Sequence, residues 1–133
     1  MKLTVTLLLF LITLGCNKEE IAKTAVISAM TNGQWKVVDF HDGATDLISD
    51  FQGYEFKFNT NFTVNAVKNG TVENTGTWNA DADARTITST FSSASEALTL
   101  LNGTWKISDN SWSFVEANLT VNGSLRKLRL EKL

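Results

Sequence analysis

From Gly33 to the end of the chain, apolar and polar residues alternate in short runs that are rich in β-branched and aromatic side chains. Clusters of Asn, Asp, Gly and Ser separate these runs, and the sequence contains no proline. A period of two is typical of β-strands with one buried face, and without proline no strand loses a backbone donor. The pattern therefore predicts an all-β domain.

Eight such runs can be distinguished: QWKVVDFH, YEFKFN, FTVNAVK, TVENTGTWN, RTITSTF, GTWKIS, SWSFVEANL and LRKLRLEKL. Two of the connections contain Asn-Gly pairs, Asn69-Gly70 and Asn122-Gly123, which suit a tight hairpin turn with positive φ at both central residues. Sequential hairpins form a meander, and eight antiparallel strands close naturally into a small barrel. We therefore predict an eight-stranded antiparallel up-and-down β-barrel, with a β-sandwich as the alternative.

A different period precedes the first strand. Apolar residues between Lys18 and Thr31 recur at helical spacing, and Asn32-Gly33 supplies a left-handed stop. The segment is predicted to be a short amphipathic helix. Its apolar face is weak and its flanks are acidic, so we expect it to pack against the barrel; the alternative is a helix that lies on a membrane.

The first residues have the features of a secretory signal. Lys2 precedes an apolar run that ends at Leu14, which is shorter than the roughly 20 residues of a membrane-spanning helix. Cys16 follows and is the only cysteine, so it cannot form an intramolecular disulfide. The residues TLGC resemble the lipobox of bacterial lipoproteins, and NKEE resembles the surface-export signal of Bacteroidota lipoproteins. This resemblance implies that residues 1–15 are a signal peptide and that Cys16 carries a lipid anchor.

A Gly-x-Trp tripeptide occurs three times and ends at Trp35, Trp78 and Trp105. Glycine lets the chain turn into a strand, and tryptophan anchors that strand in the core. We predict that inward-facing aromatic residues fill the barrel or contact a ligand. The candidates are Trp35, Tyr54, Phe56, Phe58, Trp78, Trp105 and Phe114. Alternation also assigns to the interior Val37, Phe62, Val64, Ile107, Trp112, Leu128 and Leu130.

The first tripeptide, Gly33–Trp35, resembles the motif that opens the first strand of lipocalins. Together with LNGTW, GYEFKFN and LRLEKL, it makes residues 33–133 similar to the small lipocalin-like lipoproteins of Bacteroidota. The resemblance implies a lipocalin-like barrel in which a basic side chain of the last strand, Arg126 or Arg129, makes a cation–π contact with Trp35. It also implies three segments: a signal peptide (1–15), a lipid-anchor tether with a short helix (16–32) and the barrel (33–133).

Several kinds of chemistry have little support in the sequence. The net charge of −2 argues against nucleic-acid binding, which needs clustered basic residues. His41 stands near Asp39 and Asp42, but this stretch has the pattern of a strand that ends in a solvated turn. The residues NADADAR lack the glycine and glutamate of a calcium loop, and no hydrolase, phosphate-binding or zinc motif occurs. We expect no enzymatic activity, no cofactor and no metal site.

Two classes of function remain: the family resemblance favours the first, which we expect, whereas the number of inward aromatic residues favours the second, which is the alternative. In the first, the barrel encloses a cavity and binds a small apolar or amphipathic molecule, with residues 42–52 and 92–101 around its mouth. In the second, the barrel is solid and acts through its outer face on an envelope protein, as an accessory module of an outer-membrane complex. In both, we expect a protein anchored to the outer membrane through Cys16, on the cell surface if NKEE is an export signal and otherwise on the periplasmic face.

Overall fold

A computed structural model describes residues 18–133; the predicted signal peptide and Cys16 lie outside these residues. Two α-helices and a 3₁₀-helix accompany nine strands. The helices are α1 (Lys18–Thr31), η1 (Ile48–Phe51) and α2 (Glu96–Leu100). The strands are β1 (Trp35–Asp42), β2 (Thr45–Asp46), β3 (Tyr54–Phe58), β4 (Thr63–Lys68), β5 (Thr71–Asp81), β6 (Thr86–Thr90), β7 (Gly103–Asn110), β8 (Phe114–Val121) and β9 (Ser124–Lys132).

The strands form one antiparallel sheet that closes on itself. Strands β3 to β9 pair in chain order, and β1 joins β3 on one side and β9 on the other. The closing pair β1–β9 runs from Trp35 opposite Lys132 to Asp42 opposite Arg126. The predicted eight-stranded up-and-down barrel is therefore confirmed, with β2 as one short additional strand. The hairpin turns at Asn69-Gly70 and Asn122-Gly123 have positive φ at both residues, as predicted.

One junction of the barrel is short. Strands β1 and β3 share a single residue pair, Trp35 opposite Phe56, so they diverge toward the other end of the barrel. The segment that contains β2 and η1 connects these two strands in sequence. From it the buried ring of Phe51 packs 4.9 Å from that of Phe40 and 6.5 Å from that of Tyr54. This aromatic contact closes the interior where the strand pairing stops.

The two ends of the barrel carry different helices. The α1 end is the end at which β1 begins and β9 finishes, and the α2 end is the opposite one. Helix α1 occupies the bounds predicted for it and packs against the barrel, since Met30 is buried and Val26 and Ile27 are half-buried against the core. Within residues 18–133, no helix has both the length and the apolar character needed to cross a bilayer.

Candidate functional site

The barrel interior contains six of the seven aromatic residues proposed for it. Trp35, Tyr54, Phe56, Phe58, Trp78 and Trp105 are all buried in one hydrophobic core. Many of their rings make direct contacts: Phe58 meets Trp78 edge to face at 5.3 Å, and Tyr54 stacks on Phe56 at 6.0 Å. Such contacts add about 0.5–1.5 kcal/mol each to the burial of the rings. The interior is thus a packed aromatic core.

Each tryptophan of a Gly-x-Trp tripeptide also holds a neighbouring segment. The indole nitrogen of Trp35 donates to the carbonyl of Met30 at 2.9 Å, at the end of α1. The indole of Trp105 donates to Leu101 at 2.9 Å, at the end of α2. The indole of Trp78 donates to Asn59, in the β3–β4 turn. A buried N–H needs such a partner, so these residues fix both the core and the segments that close the barrel.

The predicted inward orientation of Phe114, Trp112 and Phe62 is wrong. Phe62 lies in the turn before β4 and is 37% exposed. Trp112 is 56% exposed because it lies in the turn before β8, which begins only at Phe114. Phe114 pairs with Glu131 and is half-buried on the outer face, where the guanidinium of Arg129 stacks 4.2 Å from its ring. The inward positions of β8 belong to Val115 and Ala117. The prediction placed the face of β8 with the aromatic residue inside the barrel, whereas the structure buries the opposite face.

The cation that contacts Trp35 is also different from the one predicted. Arg126 pairs with Asp42, its Nε lying 3.2 Å from the carboxylate, and Arg129 stacks on Phe114. The Nζ of Lys132 instead lies 5.0 Å from the ring of Trp35 and 4.7 Å from that of Trp112. Side chains alternate between the two faces of a strand, so Lys132 lies on the same inward face of β9 as the buried Leu128 and Leu130. This alternation, together with antiparallel pairing of the first and last strands, could have identified Lys132 as the cation near Trp35.

Lys132 is expected to contribute measurably to stability. Its Nζ is buried and donates no hydrogen bond to any group within residues 18–133, so its contacts with the two aromatic rings are the polar interactions available to it there. Lys132→Ala removes two cation–π contacts and the stem that covers Gly33, and it should lower the free energy of unfolding by about 1–2 kcal/mol. Lys127→Ala, at an exposed position of the same strand, is the control. Equal urea midpoints for the two variants would contradict this role.

Within residues 18–133, the core surrounds a small apolar cavity of about 50 Å³. It lies at the centre of the barrel, and its lining includes Phe56, Phe58, Phe91, Leu101 and Trp105. Among the lining residues that the structure describes, Ser89 is the one with a hydroxyl group, and this hydroxyl already donates to the carbonyl of Leu101 at 2.6 Å. Sites for small molecules commonly enclose about 300–1,000 Å³, so the cavity offers room for only a few atoms.

The segments expected to flank a mouth instead close the α2 end. Residues 92–101 include α2, whose Ala97 and Leu98 are buried in the core. Arg126 donates to the carbonyl of Leu100 at 3.3 Å, which ties this helix to β9. The side chain of Asn102 exchanges two hydrogen bonds with the backbone of Phe91. The α2 end is therefore fastened by several contacts rather than open.

Tyr54 links β3, β5 and the residue that caps α2. Its hydroxyl donates to the carboxylate of Glu73 and lies 3.1 Å from the hydroxyl of Ser95, which caps α2 by accepting from Leu98. The Nζ of Lys68 lies 4.9 Å from the ring. Burial raises the pKa of Tyr54, and the hydrogen bond to Glu73 raises it further.

Because Tyr54 is the only tyrosine, its titration can be read directly. We expect the phenolate absorbance of the folded protein to appear above the ordinary pKa of about 10. The neutral phenol is favoured by folding, so this contribution to stability is complete below pH 10 and is lost as the pH rises through the folded pKa. Glu73→Gln should lower the pKa of Tyr54 part of the way toward its ordinary value, because the contribution of burial remains. An unchanged titration in Glu73→Gln would contradict the assigned hydrogen bond.

His41 and the nearby Asp42 make separate polar contacts. The imidazole lies 2.9 Å from Asp39, whereas the carboxylate of Asp42 accepts from Ser124 at 2.6 Å and from Arg126. The Ser124 hydrogen bond lowers the pKa of Asp42, partial burial opposes it, and Arg126 adds to the lowering. In the part of the chain that the structure describes, no three His, Cys, Asp or Glu residues could hold a metal ion.

Comparison with known proteins supports the fold alone. No protein-family model and no curated protein matches the chain. Among solved structures, the barrel is similar to a DUF4847 family protein from Bacteroides vulgatus, with a TM-score of 0.56 and 18% sequence identity. The match covers 80% of this chain and 96% of the other. At this identity the likeness shows a shared barrel architecture.

Proposed function

We propose that this chain is a lipid-anchored cell-envelope protein whose barrel acts through its exterior, as an interaction or accessory module at the outer membrane. The filled interior is the observation that supports action through the exterior of the barrel. The central cavity is about 50 Å³ and both ends of the barrel are closed by packed helices. A barrel of this kind presents its surface to partners and holds no bulky ligand.

The anchoring half of the proposal rests on the resemblance of TLGC to a lipobox and on the apolar run before it. One acyl chain holds a protein only weakly, whereas two or more chains, at about 0.8 kcal/mol per buried CH₂, hold it stably. A diacylated or triacylated Cys16 would therefore be a lasting anchor. The residues NKEE favour the outer surface of the cell over the periplasmic face.

Labelling and protease treatment test the anchor and its orientation. Radiolabelled palmitate should enter the wild-type protein, and the protein should fractionate with membranes. Cys16→Ser should abolish both the labelling and the membrane association. The control is the double variant Cys16→Ser/Ser28→Cys, which has a thiol outside the lipobox and should restore neither. Protease added to intact cells should remove the barrel if it is surface-exposed. Labelling that persists in Cys16→Ser would overturn the proposed anchor.

A lipocalin-like carrier of a small apolar molecule is the second candidate, and the apolar lining of the central cavity favours it. Such a ligand would have only a few heavy atoms. A ligand that binds only the folded state raises the unfolding temperature in proportion to its concentration relative to its Kd. Under our proposal, neither long-chain fatty acids nor naphthylamine dyes should raise this temperature. Saturable stabilisation by a long-chain ligand would instead favour the carrier.

A further inference from the structure

Exposed large hydrophobic residues concentrate at one end of the barrel. Six such side chains occur within residues 18–133, and four lie at the α1 end: Ile21 (57% exposed), Phe62 (37%), Trp112 (56%) and Leu133 (59%). Ile21 is on α1, Phe62 and Trp112 are in the turns before β4 and β8, and Leu133 follows β9. The other two, Val72 and Leu125, lie at the start of β5 and β9, at the α2 end. The two ends therefore differ in their apolar surface.

Both exposed aromatic rings of the α1 end are accompanied by a lysine. The Nζ of Lys23 lies 5.9 Å from the ring of Phe62, and the Nζ of Lys132 lies 4.7 Å from that of Trp112. Tryptophan and long basic side chains are enriched where protein meets the boundary between lipid headgroups and hydrocarbon, since each combines an apolar body with a polar tip. The exposed pair of Lys23 and Phe62 and the exposed indole of Trp112 fit a bilayer interface, whereas the Nζ of Lys132 is itself buried.

The predicted lipid anchor is close in sequence to the α1 end of the barrel. Cys16 is two residues before the start of α1, and two residues span at most about 7 Å. An acyl anchor on Cys16 therefore enters the bilayer close to α1. Ile21 lies on the side of this helix opposite Met30, which is buried in the barrel, so Ile21 faces away from the protein.

The charges on one side of the α1 end do not favour a mainly electrostatic attachment. Glu20, Asp81 and Asp83 line one side of it beside Lys23, so the surface has no excess of basic residues there. Attraction to anionic headgroups requires clustered Lys and Arg. The contact should therefore depend on insertion of apolar side chains and should form on zwitterionic lipid.

We propose that the α1 end of the barrel rests on the lipid bilayer, with Ile21, Phe62, Trp112 and Leu133 in the interfacial layer. This inference rests on the lipid anchor of the proposed function. It fixes the orientation of the protein: the α2 end points away from the membrane and is the face presented to partners in the envelope.

Tryptophan quenching by brominated lipids tests this orientation. The lipidated protein is purified from membranes, its acylation is verified by mass, and it is reconstituted into phosphatidylcholine vesicles with and without brominated acyl chains. Trp35, Trp78 and Trp105 are buried, so the difference between wild type and Trp112→Phe reports Trp112. The matched control is Leu125→Trp in the Trp112→Phe background, which moves the exposed indole to the α2 end.

We expect brominated lipid to reduce the emission of Trp112 and to leave that of the Leu125→Trp indole unchanged. Quenching equal at the two ends, or absent at Trp112, overturns the inference. The latter is the result expected if a second copy or another protein covers the α1 end. A protein whose mass shows no acyl group contradicts the proposed anchor itself, whereas an acylated protein without Trp112 quenching contradicts the orientation alone.

Discussion

Replacing Trp35 by alanine is expected to lower the free energy of unfolding by about 4 kcal/mol, the range measured when large aromatic residues are removed from packed cores. Trp35 is fully buried, holds the end of α1 through its indole hydrogen bond, and forms the only residue pair between β1 and β3. A domain of this size is stable by about 5–15 kcal/mol, so the variant should lose between about a quarter and four fifths of its stability. Urea unfolding followed by far-UV circular dichroism measures the loss.

Trp112→Ala is the matched control for this prediction. Both tryptophans contact Lys132, but Trp112 is in an exposed turn and its indole is outside the core. Its removal should cost less than about 1 kcal/mol, as for most surface substitutions that lose a single contact. Similar losses for Trp35→Ala and Trp112→Ala would contradict the assignment of Trp35 to the core.

Gly76→Ala should have the second-largest effect. A methyl group at Gly76 would clash with the backbone carbonyl of Thr90 and lie 2.7 Å from the ring of Phe91. Because one of these neighbours is backbone, strand β6 or β5 must shift, and overpacking of this kind costs about 1–3 kcal/mol. We expect a loss near 3 kcal/mol in urea unfolding, with the pairing of Thr77 and Thr90 weakened.

Gly70→Asn separates this steric effect from the general cost of replacing a glycine. Gly70 has φ of +83° and no atom within 4 Å of its missing Cβ, and asparagine tolerates a left-handed conformation. The change should alter the free energy of unfolding by less than about 1 kcal/mol. If Gly76→Ala were equally mild, the close approach of β5 and the end of β6 would be refuted.

The strands and the first helix could be predicted because their signals are local. The period of two, the Asn-Gly turns and the helical spacing before Asn32 each belong to a few neighbouring residues, and the barrel follows from closing eight hairpin-linked strands. Helix α2 and η1 were missed as elements. Both are only one turn long, and what stabilises them is tertiary: Phe51 packs on Phe40, and α2 is held by Ser95, Trp105 and Arg126.

The details of the candidate site were less predictable. On β8 the aromatic Phe114 was expected inside, but the register with β9 pairs it with Glu131 and turns the smaller Val115 and Ala117 inward. The number of inward aromatic residues did indicate a filled barrel. The sequence could not give the size of the remaining cavity, because this depends on how side chains from many strands interdigitate.

The most direct test of a lipid-anchored barrel with a filled interior is native mass spectrometry of the protein extracted from its own membrane. We expect one mass, that of the processed protein with two or three acyl chains on Cys16 and no further bound molecule. A stoichiometric additional mass that is lost on denaturation would contradict the filled barrel, and an unacylated chain would contradict the anchor.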